Sequence, residues 1–236
     1  MPKLSMERYS VIEEKNKREI VLLRGSGCVY KRCTFCDYYS DSCKNPQENF
    51  ALNKTVLKKV TGKYGDLEVI NSGSVFELDQ DTLAFIQAVC HEKNIRTLHF
   101  EAHYLYRDKI PALRERFSDL DLKLKLGLET FDYDFREKVL KKGIGEQNPA
   151  LISRHFDEAN FLFGIAGQSL ESMKRDIELG LKYFQRICIN IMCENTSFVS
   201  PDREVIRTFA EGLYPLYREN ERVDILMHNT DFGVGD

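Results

Sequence analysis

The chain has 236 residues, 42% of them hydrophobic and 30% charged, with 34 Lys and Arg against 37 Asp and Glu for a net charge of −3. That length suits one sizeable domain of barrel or doubly wound type, residues 1–236, and the charge balance excludes a global electrostatic case for nucleic-acid binding. Apolar runs are too short for a membrane span, the start Met1-Pro2-Lys3-Leu4-Ser5 lacks a signal-peptide core, and seven scattered cysteines fit a reducing compartment, so a cytoplasmic location is expected.

In chain order, apolar runs at 20–23, 67–71, 97–101, 122–128, 161–165 and 187–192 read as strands, with a further one at 223–227. The stretches 52–61, 80–93, 109–117, 133–141, 169–184 and 203–217 between and after them read as helices. Asp81 and Ser169 are the expected N-caps, and Gly143 after Lys141-Lys142 the expected C-cap. Alternating strands and helices predict an α/β fold of parallel strands joined by right-handed crossovers, either an open doubly wound sheet or a partial barrel. In both, ligands bind beyond the carboxyl ends of the strands. The basic pairs Lys58-Lys59, Lys123/Lys125 and Lys141-Lys142 read as solvated element ends.

Directly after the first of these strands comes Gly25-Ser26-Gly27-Cys28-Val29-Tyr30-Lys31-Arg32-Cys33-Thr34-Phe35-Cys36-Asp37-Tyr38. This C-x4-C-x2-C run offers three thiolates, whereas structural zinc or a fully ligated iron–sulfur cluster wants four protein ligands. Cys43 is the nearest candidate fourth, but it does not form the second C-x2-C pair of a zinc knuckle. Three thiolates suggest a cluster with one iron left open to another ligand. Cys43, Cys90, Cys188 and Cys193 form no second ligand run; Cys193 could serve as a hydrogen-atom donor or as small buried packing.

With the strand order, this run resembles the radical S-adenosylmethionine (radical SAM) superfamily, although the commonest family spacing is C-x3-C-x2-C. The resemblance implies a partial (βα)6 TIM-like barrel holding a [4Fe–4S] cluster on Cys28, Cys33 and Cys36, with S-adenosylmethionine on the fourth iron. Reductive cleavage of that cofactor gives methionine and a 5′-deoxyadenosyl radical. Phe35 matches the aromatic position near the adenine. Asn71-Ser72-Gly73-Ser74 matches the Gly-rich segment that meets the methionyl amino group, which marks Ser72 and Gly73. Gly127-Leu128-Glu129-Thr130, followed by Phe135-Arg136 and Leu140-Lys141-Lys142-Gly143, resembles the fourth-strand segment whose Glu holds the cofactor ribose, here Glu129. An N-cap supporting role for Glu129 is the alternative. Phe163-Gly164-Ile165-Ala166-Gly167 resembles the fifth-strand segment beside the adenine, which marks Gly164 and Ala166.

Remaining polar residues at strand ends are candidates for substrate. Thr97, His99, Glu101 and His103 alternate along one face of the third strand. Glu77 follows the second strand, and Asn190 and Glu194 belong to the sixth. The tail 228–236 contains Asp231 and Phe232, a hydrogen-bonding group and a stacking surface suited to a nucleobase; a lid folded over the barrel mouth is the expectation and a frayed end the alternative.

The size of the chain, the context Cys33-Thr34-Phe35-Cys36-Asp37-Tyr38-Tyr39 and the polar tail are similar to queuine lyases. That resemblance implies conversion of queuine to preQ1 (7-aminomethyl-7-deazaguanine) by carbon–nitrogen cleavage, in queuosine salvage. An external one-electron reductant such as flavodoxin or ferredoxin would be the partner. Two rival readings stand beside it: a radical SAM enzyme acting on a tRNA or peptide delivered by a partner, and a non-catalytic iron–sulfur redox sensor.

Overall fold

The computed structural model describes residues 6–228, which divide into two compact units, 6–29 with 38–123 and 30–37 with 124–228. In the first, β1 (Tyr9–Ile12) runs antiparallel to β2 (Arg18–Leu23), and β3 (Asp66–Asn71) and β4 (Thr97–Ala102) follow in parallel. The helices α1 (Pro46–Leu57), α2 (Gln80–Glu92) and α3 (Ile110–Arg116) belong to this unit. The hairpin strand β1 was not anticipated, because its residues are only half-buried and too few for a clear alternation.

Local chemistry explains the element starts. Asn45 accepts the N–H groups of Gln47 and Glu48, and Pro46 opens α1, so this helix begins well before the expected 52. In α2 the cap is Asp79, which accepts the Thr82 N–H at 2.7 Å; the expected Asp81 lies inside the first turn. Buried Asn53 of α1 accepts the Arg24 N–H at 2.8 Å and donates to the Arg24 carbonyl at 2.9 Å. The chain is thereby clamped where it leaves β2 for the cysteine run.

Most of β5 (Asp121–Glu129) lies in the second unit, with β6 (Glu158–Phe163), β7 (Arg186–Ile191) and β8 (Val223–Leu226) in parallel succession. Its helices are α4 (Pro149–Ser153), α5 (Leu170–Tyr183), α6 (Arg203–Gly212) and α7 (Tyr214–Tyr217). Ser169 caps α5 as expected, accepting the Ser172 N–H at 3.1 Å. The expected helix 133–141 shortens to a π-helical turn, Phe135–Val139. Lys141, not Gly143, takes the left-handed position after its cap, with φ +51°. The expected helix 203–217 divides at Leu213, where Pro215 starts the short α7.

Each unit has an apolar cluster: Ile20, Leu22 and Ile70 with Met6 and Ile12 in the first, and Leu140, Leu162, Ile165 and Met192 with Phe35, Phe135 and Val199 in the second. Parallel strands joined through helices make the fold α/β, as the alternation predicts. Among the described residues no helix is long and apolar enough to cross a membrane.

Candidate active site

The first cysteine, Cys28, sits in a loop that Glu77 organises. The Glu77 carboxylate accepts the Val29 N–H at 2.7 Å, the Ser74 N–H at 2.6 Å and the Tyr106 hydroxyl at 3.1 Å, and the Glu77 carbonyl accepts the Ser26 N–H at 2.9 Å. Only 6% exposed, this carboxylate supports the loop through those donors. Burial, and then the Glu77 charge, push the Tyr106 phenol up. A side chain at Gly73 would overlap Glu77 Oε2 and lie 3.1 Å from the Cys28 backbone nitrogen, so only glycine lets the turn after β3 pass this close. Beside it, Ser72 Oγ is buried at 1% exposure with no protein hydrogen-bond partner. A buried hydroxyl in that state is costly unless a ligand group completes it.

Along β4, the His99 ring lies 3.1 Å from Asp66, the first residue of β3, at the amino end of that strand rather than the carboxyl end where ligands bind. His103 accepts the Leu105 N–H at 3.1 Å and caps the turn that follows. Glu101 is half-buried near the carboxyl end of β4.

Cys33 and Cys36 belong to the segment 30–37 of the second unit, which is fastened on two sides. Thr34 donates its N–H to the Leu140 carbonyl at 3.1 Å and its hydroxyl to the Val139 carbonyl at 2.7 Å, while the Tyr30 hydroxyl donates to the Lys141 carbonyl at 2.8 Å. On the other side the Thr34 carbonyl accepts the N–H groups of Phe198 and Val199, the Phe35 carbonyl accepts Asn195 Nδ2 at 2.9 Å, and Asp37 accepts both the N–H and hydroxyl of Thr196 at 3.0 and 2.8 Å. Phe35 packs on the apolar cluster of Leu140, Leu162, Ile165 and Met192.

Glu129 ends β5 in the left-handed region, φ +70°, after a bulge in its pairing with β6. Its Oε1 accepts Lys142 Nζ at 2.7 Å, and the pair is buried. Gly127 clears the space, since a Cβ there would lie 2.9 Å from Lys142 Nζ and 3.0 Å from Glu129 Oε1. The unusual backbone has visible supports. Asp176 accepts the Phe131 N–H at 2.7 Å, and burial pushes its own carboxyl up to about 7. Fully buried Arg136 donates to the carbonyls of Thr130, at 3.1 Å, and Glu146. Glu137 accepts the N–H groups of Gly143, Ile144 and Gly145. Reading the sequence missed Lys142, Asp176, Tyr106 and Glu137. Of these only Lys142 lay in a motif already singled out, where it passed for an exposed helix end.

Gly164 has φ +94°, and a Cβ there would come within 2.6 Å of the Ile206 side chain, so packing of α6 demands the glycine. Ala166 is exposed in the loop after β6. Asn190 is half-buried near the carboxyl end of β7, with Glu194 exposed beyond it. The Cys193 thiol lies 3.5 Å from the Ile191 carbonyl. Asp231, Phe232 and the rest of the expected lid past His228 fall outside the described residues.

The donor chemistry fits an iron–sulfur cluster: Cys28, Cys33 and Cys36 are half-exposed and outside any disulfide, and soft thiolates select such clusters. Among the described residues no group of three His, Cys, Asp or Glu side chains is set to hold a metal ion. The orphaned, buried Ser72 hydroxyl suits a polar ligand group.

No family model matches the chain. The fold is similar to that of methylornithine synthase (PylB), with a TM-score of 0.59 and 15% identity over 87% of this chain and 63% of that one. An uncharacterized protein of Methanocaldococcus jannaschii is 26% identical over 141 residues, a match to 52% of this chain and only 38% of that relative's length. Along 98% of its length the chain matches the whole of a queuine lyase from Clostridium spiroforme, solved bound to SAM and queuine, with 46% identity and a TM-score of 0.93. A partial (βα)6 barrel with this cysteine run defines a radical SAM enzyme. Within that class the chain belongs to the queuine lyase family.

Proposed function

We propose that the chain is a radical SAM lyase that cleaves queuine to preQ1 by breaking a carbon–nitrogen bond, a step of queuosine salvage. The observation that carries the reading is the end-to-end 46% identity with a queuine lyase, combined with the C-x4-C-x2-C run. When bound, the [4Fe–4S] cluster and S-adenosylmethionine supply the 5′-deoxyadenosyl radical chemistry.

In this reading Cys28, Cys33 and Cys36 hold the cluster. Ser72 and Gly73 meet the amino acid end of S-adenosylmethionine; Phe35, Gly164 and Ala166 flank its adenine; Glu129 takes the ribose. Glu101, His103, Asn190 and Glu194 are the substrate candidates among the described residues. A carboxylate suits the guanine-like donor edge of a deazapurine, because two donors on one acceptor pair fix orientation. Glu77 and His99 act as supports, given the partners they already hold. The electron comes from an external carrier such as flavodoxin or ferredoxin, and seven cysteines outside any disulfide suit a reducing cytoplasm.

The test is release of 5′-deoxyadenosine by anaerobically reconstituted protein with reductant. Queuine should raise the rate well above the uncoupled level and guanine should not. Equal rates with both bases would remove queuine as the substrate.

A further inference from the structure

Among the described residues, Lys142 is a buried cation that pairs with the Glu129 carboxylate and also faces the Phe35 ring of the cysteine segment. An ammonium at 8% exposure carries a heavy desolvation cost unless it is paired. Here Glu129 lies at 2.7 Å, and the Phe35 ring, between Cys33 and Cys36, presents its face with the centroid 5.5 Å away. The Glu129 carboxylate at 2.7 Å offsets the cost of burying the Lys142 ammonium and keeps it paired in its charged form.

The backbone fixes the head group in place. Lys141 takes a left-handed φ of +51°, the Lys142 N–H donates to the Arg136 carbonyl at 3.0 Å, and Glu137 gathers the next three N–H groups. The same stretch receives the Tyr30 hydroxyl and both Thr34 donors, so the ammonium and the Cys33–Cys36 segment are anchored to the same backbone.

We propose that Lys142 is a positioning residue with two effects: it orients the Glu129 carboxylate, and its fixed positive charge eases one-electron reduction of the cluster held by Cys33 and Cys36. This rests on the proposed cluster chemistry. The oxidised cluster gains one electron from the external carrier and no proton, so the reduced form carries one more negative charge. A nearby cation in a low-dielectric setting stabilises that form. Glu129 opposes the effect, so removing each partner should move the reduction potential in opposite directions. A purely structural role would move both the same way.

The experiment is an EPR-monitored redox titration of reconstituted protein without queuine, for wild type, Lys142→Met, Lys142→Arg, Glu129→Gln and the double variant Lys142→Met/Glu129→Gln. Lys142→Met should lower the reduced-to-oxidised ratio about tenfold at fixed poise, about 59 mV for one electron. Glu129→Gln should raise it, and Lys142→Arg should stay near wild type. If Lys142→Met fails to fold because it strands a buried carboxylate, the double variant is compared with Glu129→Gln and should show the same drop. Equal potentials in Lys142→Met and wild type, or shifts of one sign in both single variants, would overturn the inference alone. A wild-type protein that assembles no cluster would instead overturn the reading beneath it.

Discussion

Glu77 Oε1 accepts the Val29 N–H at 2.7 Å, which fastens a buried carboxylate to the residue next to Cys28. Its other oxygen holds Ser74, beside the glycine that a side chain would push into the Cys28 backbone. Glu77→Ala strands two backbone donors and the Tyr106 hydroxyl. Each unsatisfied buried group costs about 1–3 kcal/mol, so a loss on the order of 3 kcal/mol in denaturant unfolding is expected. Iron bound after reconstitution should fall with it, and a variant that unfolds at the wild-type midpoint and binds iron normally would show that this bracket is idle.

The cysteines differ sharply in expected effect. Cys28→Ala, Cys33→Ala and Cys36→Ala should each abolish cofactor cleavage, because three thiolates are the minimum the cluster needs. Cys43, whose thiol lies 3.5 Å from Glu48, should be replaceable by Ala with no loss. Iron and sulfide analysis of the four variants is the check, and cluster loss in Cys43→Ala would mean that the ligand set is closed rather than open.

Asp176 gives a pH signature. Its folded pKa, pushed up to about 7 by burial, exceeds the usual carboxylate value, so the folded chain holds a proton that the unfolded chain releases near pH 4. The stability tied to that proton is complete below about pH 4 and is lost as pH rises through about 7, by on the order of a few kcal/mol. Thermal melting should therefore weaken between pH 5 and about 8 in the wild type, and less so in Asp176→Asn, which keeps an acceptor for the Phe131 N–H. Parallel profiles for the two proteins would exclude this carboxyl as the source.

Gly127→Ala places a methyl 2.9 Å from Lys142 Nζ and 3.0 Å from Glu129 Oε1. The pair must shift, and S-adenosylmethionine affinity measured by calorimetry should weaken about tenfold, roughly 1.4 kcal/mol. Unchanged affinity would argue that Glu129 does not contact the cofactor.

Much of the framework was readable because apolar runs mark parallel strands. All seven expected strands are present, shifted by a few residues at most. The shifts have a shared cause. Arg18, Glu158 and Arg186 look like solvated ends in a sequence, yet Arg18 pairs with Glu68 at 2.5 Å and Arg186 with Glu158 at 3.0 Å, all buried inside strands. Charge alone does not reveal a partner fifty or twenty-eight residues away. Lys142 escaped notice for the same reason: beside Lys141 it reads as a basic helix end, and only the bulge at Glu129 and the left-handed Lys141 turn it inward. Glu77 and His99 were legible as unusual polar residues, but which donors and acceptors they meet depends on the loop and strand neighbours.

Mass spectrometry of the bases reads the proposed cleavage of queuine to preQ1 without an intermediary. Reconstituted protein given queuine, S-adenosylmethionine and a one-electron reductant should yield preQ1 together with 5′-deoxyadenosine, and the Cys33→Ala protein should yield neither. Steady 5′-deoxyadenosine release with queuine left intact would exclude queuine as the substrate.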